Sequence, residues 1–446
     1  MLETLGRWVT AASDVVWGPW TIVLLLGTGV YLTVRFRFVQ VTHLHHALRN
    51  FRAGAGAGEK GALSPFQAFM TGLSGSVGTG NIAGVATAIV AGGPGAVFWI
   101  WCYGFFATAI KFAEAVLGMQ YREAGERYLL AGPMRYLELG LGSRGLARVY
   151  ALVAGVAALT TTPFTQPNSI AVVYESELAV APWVSGVVLA VLAWAVVIGG
   201  VRSVGRAAER IGPLMVVLYL VGGLVVIVTF AGRVPEVLAL VFTSAFSPRA
   251  AGGGAVGLGV MAAVRYGLAR GIYANEAGYG TAAVAYGTAR SAKPVEQGLN
   301  AMVEVYIVSF VTSSVSALTI LVSGVHTSGL NSTALVAAAF ESAMPFGGLL
   351  VLACATLFGY TTLIGWGYYG EQYLEYLLGP RVLRPYRWIY CGLIVVGATT
   401  AVDLVWAWGD LMNGLQIFPN LVGVLGLSGV VAALLRGSTA GREGAP

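Results

Sequence analysis

The sequence predicts an all-α polytopic membrane protein of eleven transmembrane helices: one N-terminal helix, then two inverted repeats of five, each opened by a broken helix. Three observations predict it. Hydrophobic residues fill 57% of 446 positions and charged residues only 10%. Apolar stretches of about 20 residues, the length that crosses a bilayer, recur along nearly the whole chain. Two of them, five stretches apart, carry glycine and polar residues where the bilayer centre would fall. Water could not wet a folded surface of this composition, and the stretches leave no room for a sizeable soluble domain.

The stretches are centred near residues 16–36, 66–91, 95–120, 146–172, 183–201, 211–232, 257–284, 299–324, 345–371, 386–402 and 415–436. The first lacks a basic leader and a small-residue cleavage pattern, so it reads as a retained helix rather than a signal peptide. Setting it aside divides the chain into residues 1–63 (N-terminal helix and cytoplasmic linker), 64–254 (first repeat) and 255–446 (second repeat). Five is odd, so the second repeat enters the membrane inverted. The linker 52–61 is rich in Gly and Ala and reads as flexible. Its Gly56-x-Gly58-x-x-Gly61 pattern lacks the strand and helix that a dinucleotide site needs.

Charge fixes the expected orientation. Twenty of the 26 Lys and Arg residues fall in loops that follow odd-numbered stretches, against Arg7, Arg233 and Arg249 on the other side. Cytoplasmic loops carry the excess of Lys and Arg, which puts the N-terminus outside and the C-terminus in the cytoplasm of a cell inner membrane. The net charge of +6 follows from those loops, so no nucleic-acid partner is implied. Cys102, Cys354 and Cys391 sit inside apolar stretches, and His43, His45, His46 and His326 show no ligand spacing; neither a disulfide framework nor a metal-binding cluster is indicated. No hydrolase, zinc-protease or Walker signature appears, so an enzyme is not expected. The sequon Asn331-Ser332-Thr333 falls in an expected outer loop.

Stretch two contains Gly78-Thr79-Gly80-Asn81, and stretch seven contains Asn275-Glu276-Ala277-Gly278-Tyr279-Gly280. Glycines let a helix open, and unpaired backbone survives in a bilayer only where it lines a polar cavity. The amides that start a half-helix suit a carboxylate. The opposing carbonyls and Glu276 suit an ammonium group, unless Glu276 is instead a structural partner of Arg265 or Arg270. Packing is the competing reading of the first motif, because Gly72, Ser76, Gly80 and Gly84 recur every four residues. Discontinuous helices at matching positions of two inverted repeats point to a secondary transporter and to its binding site.

Three further groups are candidates. Stretch four holds Pro163, Gln166, Pro167, Asn168 and Ser169, with Gln166 either a cavity donor or an interhelical bond. In stretch nine, Thr361 and Thr362 offer adjacent hydroxyl oxygens for a hard cation, or bond back to their own helix, and Trp366 is either a gate or packing. Lys111 and Glu114, one turn apart, read as a snorkelling pair.

Val77–Ala86 running into Gly92–Trp101, with Lys111–Ala115, Asn275–Gly278, Gly365-Trp366 and Tyr368–Glu371, resembles the alanine or glycine:cation symporter family over nearly the full length. The resemblance implies a leucine-transporter-like fold with one extra N-terminal helix, and co-transport of Na+, sometimes H+, with a small neutral amino acid. It implies that amides around Gly78, Thr79, Gly80 and Asn81 hold the substrate carboxylate and that carbonyls near Gly278, beside Glu276, receive its ammonium. Gln166 and Trp366 would then close the pocket. It also implies a sodium site of the carbonyls of Ser74 and Val77 with the hydroxyls of Thr361 and Thr362. Two positions depart from the family pattern: Val308 stands where Asp is common, with Glu304 a turn earlier, and Tyr286 stands where His is usual. The mechanism so implied is alternating access, with no obligate protein partner; a channel is the rival reading.

Overall fold

The computed structural model describes residues 2–50, 60–124, 129–247 and 259–443. The linker up to residue 59, the expected repeat boundary at 254/255 and the first two residues of the seventh stretch lie outside the described residues. Helix dominates, and the one two-stranded sheet among the described residues pairs Glu123–Ala124 with Leu129–Leu130.

The chain opens with α1 (Leu2–Val16) and α2 (Pro19–Arg35), bent by 41° where Gly18 and Pro19 interrupt the run. A capping box starts α3 (Pro65–Ser76): the Ser64 hydroxyl accepts from the Gln67 amide, and the Gln67 side chain accepts from the Ser64 amide. After a break comes α4 (Ala83–Gly92), inclined by 57° to α3. Then follow α5 (Ala96–Gln120), α6 (Arg144–Thr160), α7 (Thr162–Leu178), α8 (Pro182–Val197), α9 (Gly200–Thr229) and α10 (Val234–Phe246).

The second half repeats the opening device. Helix α11 (Gly259–Asn275) stops, the chain makes a turn, and α12 (Thr281–Gly287) resumes. Helices α13 (Pro294–Val305) and α14 (Ser313–Ser323) form one run through a π-helical turn at Tyr306–Thr312. The short α15 (Ser332–Glu341) precedes α16 (Gly347–Leu378), α17 (Leu383–Thr399), α18 (Val402–Gly426) and α19 (Ser428–Glu443).

Among the described residues, each apolar stretch read from the sequence lies mainly on helix. Among the described residues, five runs are long and apolar enough to cross a membrane, and three bent pairs bring the number to eight. One boundary is corrected. The last stretch, expected at 415–436, straddles two helices: α18 begins already at Val402 and ends at Gly426, and α19 follows at an inclination of 53°. Asp403, Asp410 and Asn413 lowered the apparent hydropathy of the first half of α18.

Burial separates the inner helices from the outer ones. Two thirds of the apolar window of α5 (67%) is buried, against 33% for α9. On α9, Leu214, Val217, Val221, Leu224 and Val228 are each more than half exposed and recur at helical spacing. A face so apolar and so continuous is a lipid face, and the chain is an integral membrane protein. Helix α5 is packed against α11, α12 and α13, which places it directly behind the second break.

Candidate functional site

At the first break, Gly78 and the turn Thr79–Asn81 separate α3 from α4 without left-handed backbone; Gly78 itself is extended, with φ −116° and ψ −168°. Glycine is needed here for space. A Cβ on Gly78 would lie 2.7 Å from Thr362 Oγ1, and one on Gly80 would lie 2.7 Å from the Tyr273 ring. The opened backbone is satisfied by neighbours, as the low-dielectric interior requires. The Thr79 amide and hydroxyl donate to Gln166 Oε1 at 3.0 and 2.9 Å. Asn81 Nδ2 donates to the Ser76 carbonyl, and Ser316 Oγ donates to the Asn81 carbonyl.

At the second break the backbone itself turns left-handed: φ is 58° at Glu276, 103° at Gly278 and 85° at Gly280. A side chain at either glycine would be strained, so the Gly-x-Gly spacing here is conformational. The turn is held from outside by buried groups. The carbonyls of Ala277, Gly278 and Tyr279 accept from Tyr103 Oη, Asn420 Nδ2 and Tyr150 Oη at 2.6, 2.8 and 2.7 Å. The amides of Gly278 and Gly280 donate to Glu114 Oε1 at 2.9 and 3.1 Å. Asn420 Nδ2 donates to that same oxygen, and Tyr136 Oη donates to Asn420 Oδ1.

A small polar cavity of about 10 Å³, room for about one water molecule, separates the two breaks. Gly75, Ser76, Gly78 and Gly80 line it from the first break, Tyr273, Glu276 and Tyr279 from the second. Thr162, Gln166, Thr362, Trp366 and Asn413 close its sides. Glu276 presents its carboxylate here, accepting from Trp366 Nε1 at 2.6 Å and from Thr281 Oγ1 at 2.8 Å. The hydroxyl of Thr362 lies 3.0 Å from the Ser74 carbonyl and equally 3.0 Å from the Phe358 carbonyl of its own helix, two acceptors that share its one proton. Ser74 Oγ is buried with no hydrogen-bond partner among the described residues.

Of the residues singled out from the sequence, Gly78, Gly80, Gln166, Glu276, Thr362 and Trp366 meet at this cavity. Thr79 stands just behind it on Gln166, and Asn81 faces away as a staple to Ser313 and Ser316. Ser74 reaches it only through Thr362, and Val77 is buried outside the lining. The Thr361 hydroxyl bonds back to Leu357 and Phe358 and points at Met215 Sδ.

Three expectations are corrected. Gly278 is not among the residues that line the cavity, and its carbonyl accepts from Asn420 instead. Glu276 pairs with neither Arg265 nor Arg270: Arg265 bonds Asp14, and Arg270 makes a two-pronged pair with Asp410 at 3.0 and 2.8 Å. Lys111 and Glu114 are not a snorkelling pair. Both are fully buried and point to different partners, Lys111 to Glu304 and Glu114 to the second break. Sequence reasoning also missed Thr162, Tyr273, Tyr279 and Asn413 at the cavity. Asn413 lay in a polar run that the hydropathy pattern assigned to a loop, and the tyrosines are ordinary in any apolar helix.

One turn beyond Tyr273 and Asn413, the Arg270–Asp410 pair sits under the Trp406 ring, 5.1 Å from its centroid. At the opposite end, Leu63 bonds the backbone of Thr288 and Arg290, and the Arg122 guanidinium donates to the carbonyls of Lys60, Gly287, Ala289 and Ser291.

Two broken helices facing each other across a small polar cavity, inside a bundle with a lipid-exposed rim, define a transporter of leucine-transporter-like fold. Comparison of coordinates agrees: the chain matches MhsT, solved in complex with L-phenylalanine, with a TM-score of 0.60 over 85% of this chain and 98% of that one, at 12% identity. The chain belongs to the sodium:alanine symporter family, whose family model matches residues 2–443. It is 40% identical over 435 residues to the sodium/alanine symporter AgcS of Methanococcus maripaludis, covering 95% of each chain. It is 36% identical to a probable sodium/glutamine symporter, GlnT, of Bacillus subtilis, covering 98% of this chain and 92% of that one. Family membership makes it a Na+-coupled amino-acid symporter, not an enzyme.

Proposed function

We propose that the protein imports a small neutral amino acid, alanine or glycine, together with Na+ by alternating access across a cell inner membrane. The observation that carries this reading is the meeting of the two breaks, where the Gly78–Gly80 backbone and Gln166 face Glu276 across a small polar cavity. The substrate carboxylate takes the place of Gln166 Oε1 as acceptor for the Thr79 amide and lies along Gly78 and Gly80. Its ammonium is received by Glu276, which the left-handed turn at Gly278 presents. Trp366, bonded to Glu276, forms the wall that closes over it.

Sodium binds between the carbonyls of Ser74 and Val77 and the hydroxyls of Thr361 and Thr362. The contact between Thr362 and the Ser74 carbonyl, with the unpartnered Ser74 Oγ beside it, supports that position: a dehydrated cation needs several such oxygens within reach of one point. The eleven crossings, the division at 63/64 and 254/255 and the outside N-terminus belong to the same reading. On it, the Arg270–Asp410 lid faces outward, the Arg122 clasp faces the cytoplasm, and transport opens them in turn.

A zwitterion carried with one sodium ion moves one positive charge inward, a driving force of about 2.3 kcal/mol per 100 mV. Uptake of radiolabelled alanine into proteoliposomes should therefore need sodium on the outside and respond to voltage. Uptake driven equally well by a proton gradient without sodium would replace sodium by H+, and flux without saturation or counterflow would favour a channel.

A further inference from the structure

The ammonium of Lys111 is the chemistry in this molecule that the proposed transport cycle leaves unused. It stands on α5 with 1% of its side chain exposed, and its Nζ lies 2.6 Å from Glu304 Oε1, 2.8 Å from Ser76 Oγ and 2.5 Å from the Asn275 carbonyl. An ammonium has three protons, and three acceptors take them all. The acceptors come from three different elements. Ser76 is the last residue of α3 before the first break, and Asn275 is the last residue of α11 before the second. The Asn275 carbonyl is available because the helix stops there. Glu304 lies on α13, fully buried, and is further held by Ser76 Oγ at 2.5 Å and by Tyr286 Oη at 2.6 Å.

One carboxylate, one hydroxyl and one helix-end carbonyl converging on a buried point form the oxygen shell that would hold a hard monovalent cation. We propose that Lys111 is a resident cation: its ammonium permanently fills a second cation site that bridges the two breaks, so that only the site at Ser74 and Thr362 takes a transported sodium ion. Lys111 is thus a positioning residue that sets ion stoichiometry. Its covalent tether lets it tie the two breaks together without being released in each cycle. Removing the ammonium while leaving Glu304 exposes a buried negative charge that recruits a second sodium ion, because an unpaired buried carboxylate is strongly unfavourable. This inference rests on the sodium-symport reading for its consequence in transport, but the site itself can be counted without transport.

The experiment measures radiosodium bound per chain on purified full-length protein in detergent, alongside the sodium dependence of alanine uptake in proteoliposomes. The expected result is one bound ion in the wild type and two in Lys111→Ser, with the Hill coefficient for sodium rising from about one towards about two. The double variant Lys111→Ser/Glu304→Gln, which keeps the space but loses the negative charge, should return to one bound ion. Equal binding in wild type and Lys111→Ser would overturn the proposal, as would two ions bound to the wild type, a measurement that stands even if the variant does not fold. If the sodium-symport reading fails instead, the wild type binds none while Lys111→Ser still gains one.

Discussion

The two broken helices look alike in sequence and are built on opposite principles. At the first break no residue is left-handed, and its glycines are small because Thr362 and Tyr273 come close. At the second, Gly278 and Gly280 hold backbone that other residues adopt only at a cost, and buried side chains from α5, α6 and α18 brace it. Thr79, beside the cavity, is bonded to Gln166, a side chain that substrate can replace, whereas the second turn is bonded away from the cavity to Glu114, Asn420, Tyr103 and Tyr150. The first break is therefore the adaptable half of the site, and the second is the fixed half that aims Glu276.

This contrast can be broken by substitution. The largest effect is expected at Glu114. Glu114→Ala leaves the amides of Gly278 and Gly280 without an acceptor, at about 1–3 kcal/mol each, and takes from Asn420 one of its two acceptors, so the protein should be lost from the membrane fraction. Glu114→Gln keeps an oxygen in that position and should be recovered folded. Equal recovery of the two variants would show that the second break does not depend on this brace.

Gly280→Ala comes next. Left-handed backbone costs about 1–2 kcal/mol for a side-chain-bearing residue, and the new methyl would press on the Pro133 ring, so thermal unfolding in detergent should move to lower temperature. Gly78→Ala strains no backbone, so its unfolding temperature should fall less than that of Gly280→Ala, while the methyl pressed on Thr362 and Gln166 lowers alanine uptake at least about tenfold, equivalent to about 1.4 kcal/mol. Should Gly78→Ala destabilise as much as Gly280→Ala, the distinction between space and conformation disappears.

The smallest effect sharpens the adaptable half. Thr362→Ala should raise the half-saturating sodium concentration for uptake about three- to tenfold, or about 0.7–1.4 kcal/mol. Thr361→Ala should raise it as well, but less, since only Thr362 also reaches the Ser74 carbonyl of the first broken helix. No shift in Thr361→Ala would remove that hydroxyl from the ion site.

By itself the sequence determined what is local. Hydropathy marked the stretches that became helix, and glycine with polar residues marked residues 78–81 and 275–280 as the places where two of them open, because helix propensity and the cost of burying backbone depend on the few residues concerned. That is also why Gly78, Gly80, Gln166, Glu276, Thr362 and Trp366 could be singled out. Tertiary structure alone decided which buried charges meet. Lys111 and Glu114 are neighbours on one helix, yet one reaches residue 304 and the other residues 278, 280 and 420. It also left Gly278 out of the cavity lining and brought in Asn413 from a stretch whose polarity had hidden it. Partners hundreds of positions apart are chosen by packing, and a pattern that repeats every three or four residues carries no record of that choice.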